Sequence, residues 1–143
     1  MIYSRMGEHA LAALVGVAQC PCPGGWCRVK DIAERARVPA PTLAKALQML
    51  THPLRFLQSS TGPVGGFKLR RPPEQITLYD VVVAIDGIES LERCAMGWNT
   101  CGGTILCPMH ALWVPIRSQM IEFLKTTTLA DILANVQYPK KEG

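Results

Sequence analysis

No apolar run in the 143-residue chain approaches the eighteen or so residues that cross a bilayer. The N-terminus also lacks the succession of basic segment, apolar core and small-residue cleavage site that marks a secreted protein. These absences predict a soluble, cytoplasmic protein with no membrane partner. Missing too are a thioredoxin-like C-x-x-C, a nucleotide loop and a recognisable nucleophile–base pair, which leaves little support for an enzyme. The length suits one domain with its own core and an appended arm, and nothing demands a second domain. Six cysteines in a reducing cytosol point to metal or redox chemistry before structural disulfides.

Charge is unevenly spread. Residues 1–73 carry ten Lys plus Arg against three Asp plus Glu, net +7, while residues 74–143 carry five against eight, net −3, together the +4 of the whole chain. A basic first half joined to an acidic second half suggests a polyanion-binding module attached to something else.

In chain order, apolar residues recur at helical steps from Ile2 to Ala18, with Glu8 and His9 among them. The loop C-P-C-P-G-G-W-C must end that helix and carries Cys20, Cys22 and Cys27. Val29 to Ala36 reads as a short helix and R-V-P-A-P as a turn. A second helix then has Pro41 in its first turn and Leu43, Ala46, Leu47 and Leu50 on one face. Such a pair is a helix-turn-helix candidate. Leu54, Phe56 and Leu57 lead a strand, S-S-T-G-P-V-G-G forms a tip, and F-K-L-R-R returns as a second strand. A hairpin directly after a helix-turn-helix is the wing of a winged helix, and Lys68, Arg70 and Arg71 on it would lie close to DNA phosphates.

Thr77 is the expected N-cap of a helix from Leu78 to about Asp86, with Asp80 in the capping-box position and Gly87 as the stop. A cysteine loop follows. From Met109 to Leu124 an apolar stripe describes a long amphipathic helix, which Pro115 should kink or deprive of one hydrogen bond. A Thr128 cap precedes a last short helix, Leu129 to Asn135, and a frayed tail. The long striped helix has too little domain left to bury it, so a homodimer is expected. The fold class is thus mainly α with a small β-hairpin wing: winged helix-turn-helix over 1–74, cysteine loop and dimerisation helix over 75–143.

Between Cys94 and His110 three cysteines and a histidine gather in one glycine-bearing loop. Soft thiolates beside an imidazole suit zinc or an iron–sulfur cluster. The intervals are six residues from Cys94 to Cys101, five from Cys101 to Cys107 and two from Cys107 to His110, wider than the tight knuckles of most zinc sites. They fit a cluster better than a single small ion.

With these parts in order, the chain resembles the family of winged-helix, iron–sulfur-dependent bacterial transcription regulators that includes IscR and NsrR. The resemblance runs from residue 1 to about 136. It rests on I-A-E-R-A-R-V-P, on G-P-V-G-G-F-K-L in the wing, on I-T-L-Y-D-V-V-V-A-I-D-G, and on C-P-M-H-A-L-W with F-L-K-T-T-T-L-A-D-I-L beyond; the last two look like the IscR branch in particular. It implies that Cys94, Cys101 and Cys107 bind the cluster and that His110 completes a 2Fe-2S centre. The NsrR branch uses an acidic residue of the first helix instead, which makes Glu8 the alternative fourth ligand, and a 4Fe-4S cluster takes four such ligands equally well.

The chain departs from the family at several points. Thr61 stands where members often place an arginine for the minor groove. The recognition helix has Ala44 where IscR-like proteins can hold a glutamate, and it leaves Thr42, Lys45 and Gln48 as base-reading candidates. Cys20, Cys22 and Cys27 have no counterpart; zinc binding, a transient disulfide and inert thiols all remain open. The reading is a homodimeric regulator that binds a two-fold site on double-stranded DNA. It would sense iron–sulfur status, redox state or nitric oxide. Its rivals are a constitutive zinc-containing DNA-binding protein and, with Cys20 and Cys22 as attacking and resolving thiols, a redox enzyme.

Overall fold

The computed structural model describes residues 2–20, 23–52, 56–63, 65–97 and 107–135. Along these the chain forms α1 Arg5–Ala18, α2 Val29–Ala36, α3 Ala40–Thr51, β1 Leu57–Ser60, β2 Gly66–Leu69, α4 Leu78–Asp86, α5 His110–Thr126 and α6 Leu129–Asn135. Single 3-10 turns stand at Pro23–Gly25, Pro73–Gln75 and Ile88–Leu91. The expected class, helical with one hairpin, is the observed one. No helix among the described residues is long and apolar enough to cross a membrane.

Helix α1 is the centre of the packing. It contacts α2, α3, α4, α6 and β2, and Ala10, Ala13 and Leu14 on it are fully buried. Small residues on its inner face let neighbours come close: a Cβ added to Gly16 would sit 3.0 Å from Ile32 Cγ2 on α2. The core then adds Ile32, Leu43, Leu47, Leu50, Leu57 and, from the far end of the chain, Leu129. Each such side chain contributes about 1.5–3 kcal/mol when fully buried. A second, smaller cluster of Leu78, Val82, Leu91 and Leu124 joins α4 to α5.

The helix starts at Arg5, later than the apolar pattern suggests, because Ser4 caps it: the Gly7 amide donates to Ser4 Oγ at 3.0 Å. The Ser4 amide donates in turn to the Asp86 carboxylate at 2.9 Å, and its hydroxyl donates to the same group, so the start of α1 is tied to the end of α4. The expected capping box of α4 is present in both directions between Thr77 and Asp80, and Gly87 ends the helix with a φ of 82° that suits glycine. A second box links Thr128 and Asp131 at the start of α6. The two starts lie side by side, with the Leu78 amide bonded to the Thr127 carbonyl and the Leu129 amide to that of Ile76, both short backbone bonds.

The wing pairs antiparallel with Leu57 opposite Leu69 and Ser60 opposite Gly66. The first strand begins at Leu57, one residue after Phe56, and Leu54, also expected to lead it, lies outside the described residues; the second ends at Leu69 and not at Arg71. The other edge of β2 is covered as well. Cys27 and Phe67 exchange both backbone bonds, at 2.8 and 2.7 Å. This close approach requires a glycine at residue 66, where a Cβ would lie 2.3 Å from the Cys27 carbonyl oxygen. Helix α5 runs unbroken through Pro115, whose missing amide proton costs one bond to the carbonyl four residues back.

Gly66→Ala is expected to destabilise the protein by about 1–3 kcal/mol, because one backbone must move away from another to admit the methyl group. Chemical denaturation of both proteins checks this, and unchanged stability would show that the wing has room at this point.

Candidate metal centre and nucleic-acid interface

The cysteine segment is held at both ends. On the near side, Leu91 is buried in the α4–α5 cluster and Cys94 follows three residues later, 5% exposed. On the far side, Cys107 is 7% exposed and His110 opens α5. The Met96 amide donates to Cys94 Sγ at 3.2 Å and the Met109 amide to Cys107 Sγ at 3.4 Å. N–H···S contacts of this kind are among those that orient and tune cluster thiolates. Helix α5 also grips the near side: the Trp113 indole donates to the Arg93 carbonyl at 3.0 Å, and Arg117 donates to the Glu92 carbonyl at 3.2 Å.

Buried sulfurs that receive amide hydrogens, with an imidazole at the adjoining helix start, are a donor set that fits an iron–sulfur cluster. Cys101, the third expected ligand, lies outside the described residues. Among the described residues no three His, Cys, Asp or Glu side chains are gathered closely enough to hold a metal ion. Beside Cys94 opens a cavity of about 570 Å³ lined by Tyr3, Ser4, Asp86, Trp113 and Arg117 among others. Glu8, the alternative ligand, is half-exposed in the first turn of α1, where a carboxylate meets the helix dipole favourably; it is not among the cavity's lining residues.

The candidate DNA-binding residues fall on one helix and one strand. Thr42, Lys45 and Gln48 lie on the side of α3 opposite the buried Leu43, Ala46, Leu47 and Leu50; Lys45 and Gln48 are exposed and Thr42 is half-buried. Ala44 is half-buried and Thr61 exposed at the wing tip. An open cleft of about 420 Å³ between the end of α3 and the wing is lined by Gln48, Thr51, His52, Ser59, Ser60 and Thr61. On the wing, Arg70 is exposed, whereas Lys68 and Arg71 are half-buried against aromatic faces: the Lys68 ammonium lies 4.9 Å from the Trp26 ring centre and the Arg71 guanidinium 4.9 Å from that of Phe56.

Two features escape the pattern of the sequence. Arg28, the N-cap residue of α2, donates to the Pro63 carbonyl at the wing tip and so braces the hairpin. Cys20 and Cys27 form a disulfide, while Cys22 lies outside the described residues. The only signal for that bond along the chain is three closely spaced cysteines, which does not say which of them pair.

Residues 3–135 match the model of the Rrf2 family, described as an iron-dependent transcriptional regulator. A putative helix-turn-helix-type transcriptional regulator of Aquifex aeolicus is 30% identical over 135 residues, covering 93% of this chain and 92% of that protein. The regulator IscR of Sodalis glossinidius is 31% identical over 140 residues, 94% of this chain and 80% of that one. Among solved structures, CymR, the global cysteine regulator of B. subtilis, superposes with a TM-score of 0.77 at 22% identity over 94% of this chain and 97% of that one. IscR of T. potens does so with a TM-score of 0.71 at 23% identity, over 95% and 92%. Those two likenesses carry the fold. Matched along nearly its whole length by the family model and by its relatives, the chain belongs to the Rrf2 family of transcriptional regulators.

Proposed function

We propose that this regulator is a cytoplasmic, homodimeric DNA-binding protein that responds through an iron–sulfur cluster, 2Fe-2S favoured and 4Fe-4S the alternative. Cys94, Cys101, Cys107 and His110 are its ligands, with Glu8 as the rival fourth. The observation that carries this reading is the pair of buried sulfurs, Cys94 and Cys107, each receiving a backbone N–H at the foot of α5. Residues 1–74 meet the DNA; residues 75–143 hold the cluster and the partner subunit. A bound cluster supplies reversible electron transfer and a point of attack for oxidants or nitric oxide.

The protein's own part is mechanical. Cys107 and His110 stand at the start of α5, and Trp113 and Arg117 lock the first turns of that helix to the backbone at residues 92 and 93. The same helix exposes large apolar side chains: Leu112 is 74% exposed, Ile116 52% and Phe123 49%. A stripe of this size on a soluble domain favours a partner, and a second α5 offers the complementary one. Holding a cluster, Cys107 and His110 would fix the foot of α5, and with it the tilt of the dimer helices and the separation of the two α3 helices on a two-fold site. The family consists of transcriptional regulators, which weighs against the redox-enzyme reading.

Three outcomes test this. Protein purified without oxygen should contain equal iron and acid-labile sulfide and absorb visible light, and Cys101→Ala should abolish the colour yet leave a folded protein. Zinc without sulfide would leave the constitutive reading in place, and a larger effect of Glu8→Ala than of His110→Ala would reassign the fourth ligand. Leu112→Asp should shift the protein from dimer to monomer in sedimentation; an unchanged dimer removes α5 from the interface. Affinity for duplex DNA should fall steeply with salt, and Arg70→Ala should make the slope of log affinity against log salt shallower by about 1, the share of one phosphate neutralised by one arginine. A flat salt response would count against the DNA role.

A further inference from the structure

We propose that Cys20 and Cys27 are a reversible thiol–disulfide switch, separate from the cysteine segment at 94–110, that governs how firmly the wing is held to the body of the protein. Only one consequence of the switch, its effect on affinity for DNA, rests on the DNA-binding reading.

Three consecutive residues connect this site to the wing. Trp26 carries the Lys68 ammonium over its ring, Cys27 shares two backbone bonds with Phe67, and Arg28 donates to the Pro63 carbonyl at the tip. The middle residue of the three is bonded through sulfur to Cys20, which directly follows the capped end of α1. The Cα atoms of the pair are 6.1 Å apart, within the ordinary range for a disulfide. The bond therefore fastens the second edge of the wing to the most deeply packed helix of the fold. The residues just before Trp26 are loosely packed by comparison. Gly24 and Gly25 both have positive φ, 78° and 75°, and a Cβ added to Gly25 would meet nothing within 4 Å.

Both redox states have a place in this structure. Cys27 is fully buried, and its Sγ lies 3.7 Å from the Val17 carbonyl oxygen, an acceptor for the thiol when the bond is open. Cys20 is the half-exposed partner. It borders an open cavity of about 280 Å³ whose other lining residues include Gly24, Gly25, Lys68 and Leu69 and, among the described residues, none from the 94–110 segment. A small thiol or disulfide reaches Cys20 there and not Cys27. In a reducing compartment, disulfides are transient or redox-sensing more often than structural.

The chemistry is exchange with a small-molecule disulfide such as oxidised glutathione. The Cys20 thiolate attacks it, forming a mixed disulfide and releasing one glutathione thiolate. The Cys27 thiolate then displaces the second and closes the protein disulfide. Two electrons pass from the protein to the oxidant, and the two thiol protons end on the two glutathione molecules. Reduction by excess glutathione runs the same steps backwards. With the bond closed the wing is pre-organised; with it open the wing must be ordered on binding, at a cost in affinity.

The test uses the full-length protein, purified without oxygen and equilibrated in reduced and oxidised glutathione at varied ratios. Free thiols are alkylated and mapped by mass spectrometry, hydrogen exchange is followed in the wing peptide 57–69, and affinity is measured for a fluorescein-labelled random-sequence duplex at low salt. The expected result is a reversible disulfide between Cys20 and Cys27, with several-fold faster wing exchange and about three- to tenfold weaker DNA binding in the reduced form. Cys20→Ser, a near-isosteric change at the half-exposed edge of the core, should behave as the reduced form at every ratio, and Cys27→Ala should agree with it. Alkylation of both cysteines at every ratio would overturn the proposal, as would equal wing exchange in the two states. A redox-dependent wing in a protein that binds no DNA in either state would uphold the switch and sink the DNA-binding reading instead.

Discussion

The burial of α1 is the constraint on which the rest of the molecule depends. A helix that packs against four others and a strand must present small or aliphatic side chains on most of its circumference, and α1 does so with Ala10, Ala13, Leu14 and Val17 on its inner faces. Its two ends are then the places where polar or covalent chemistry ties other elements to the core. At the N-terminus, Ser4 caps the helix and bonds the Asp86 carboxylate at the end of α4, beside the cavity that Cys94 borders. At the C-terminus, Cys20 is joined to Cys27 and through it to β2. The helix is thus a rod with the cavity that Cys94 borders beside its start and the wing fastened to its end.

The two ends of the rod suit different chemistry. The amide-bonded sulfurs of Cys94 and Cys107 belong to the segment that leads into α5, a helix whose outer face exposes Leu112 and Ile116. The disulfide belongs to the β2 edge of the hairpin, which packs against α1, while β1 packs against α3. The aromatic rests of Lys68 and Arg71 modify the simple picture of a basic wing. Both cations lean on rings of the protein, Trp26 and Phe56, which leaves Arg70 as the exposed charge of the three. An aromatic face holds a cation by only about 0.5–2 kcal/mol, so a phosphate competes with it readily.

Much of this is legible from residue order, and the reasons are local ones. Helical spacing locates α1 to α6 to within a few residues, since a 3.6-residue period leaves the same stripe wherever a helix is half-buried. The boxes at Thr77–Asp80 and Thr128–Asp131, the Gly87 stop and the early Pro41 act within one helical turn, and each is found where its residue type places it. The start of α1 lies later than the stripe predicts because apolar Ile2 continues the pattern, while the helix is ended by a serine whose second role is to bind a carboxylate 82 residues away.

The sequence by itself determined the helices, the hairpin, the basic first half and the place of Cys107 and His110 at a helix start, because periodicity, caps, charge and short spacings are properties of neighbours along the chain. Only the tertiary structure decided that Cys20 pairs with Cys27, that Arg28 braces Pro63, that Asp86 anchors Ser4 and that Lys68 and Arg71 rest on aromatic rings. Each of these interactions joins elements brought together by packing around α1. Their partners are chosen by burial and backbone approach in three dimensions, which no spacing along the chain encodes.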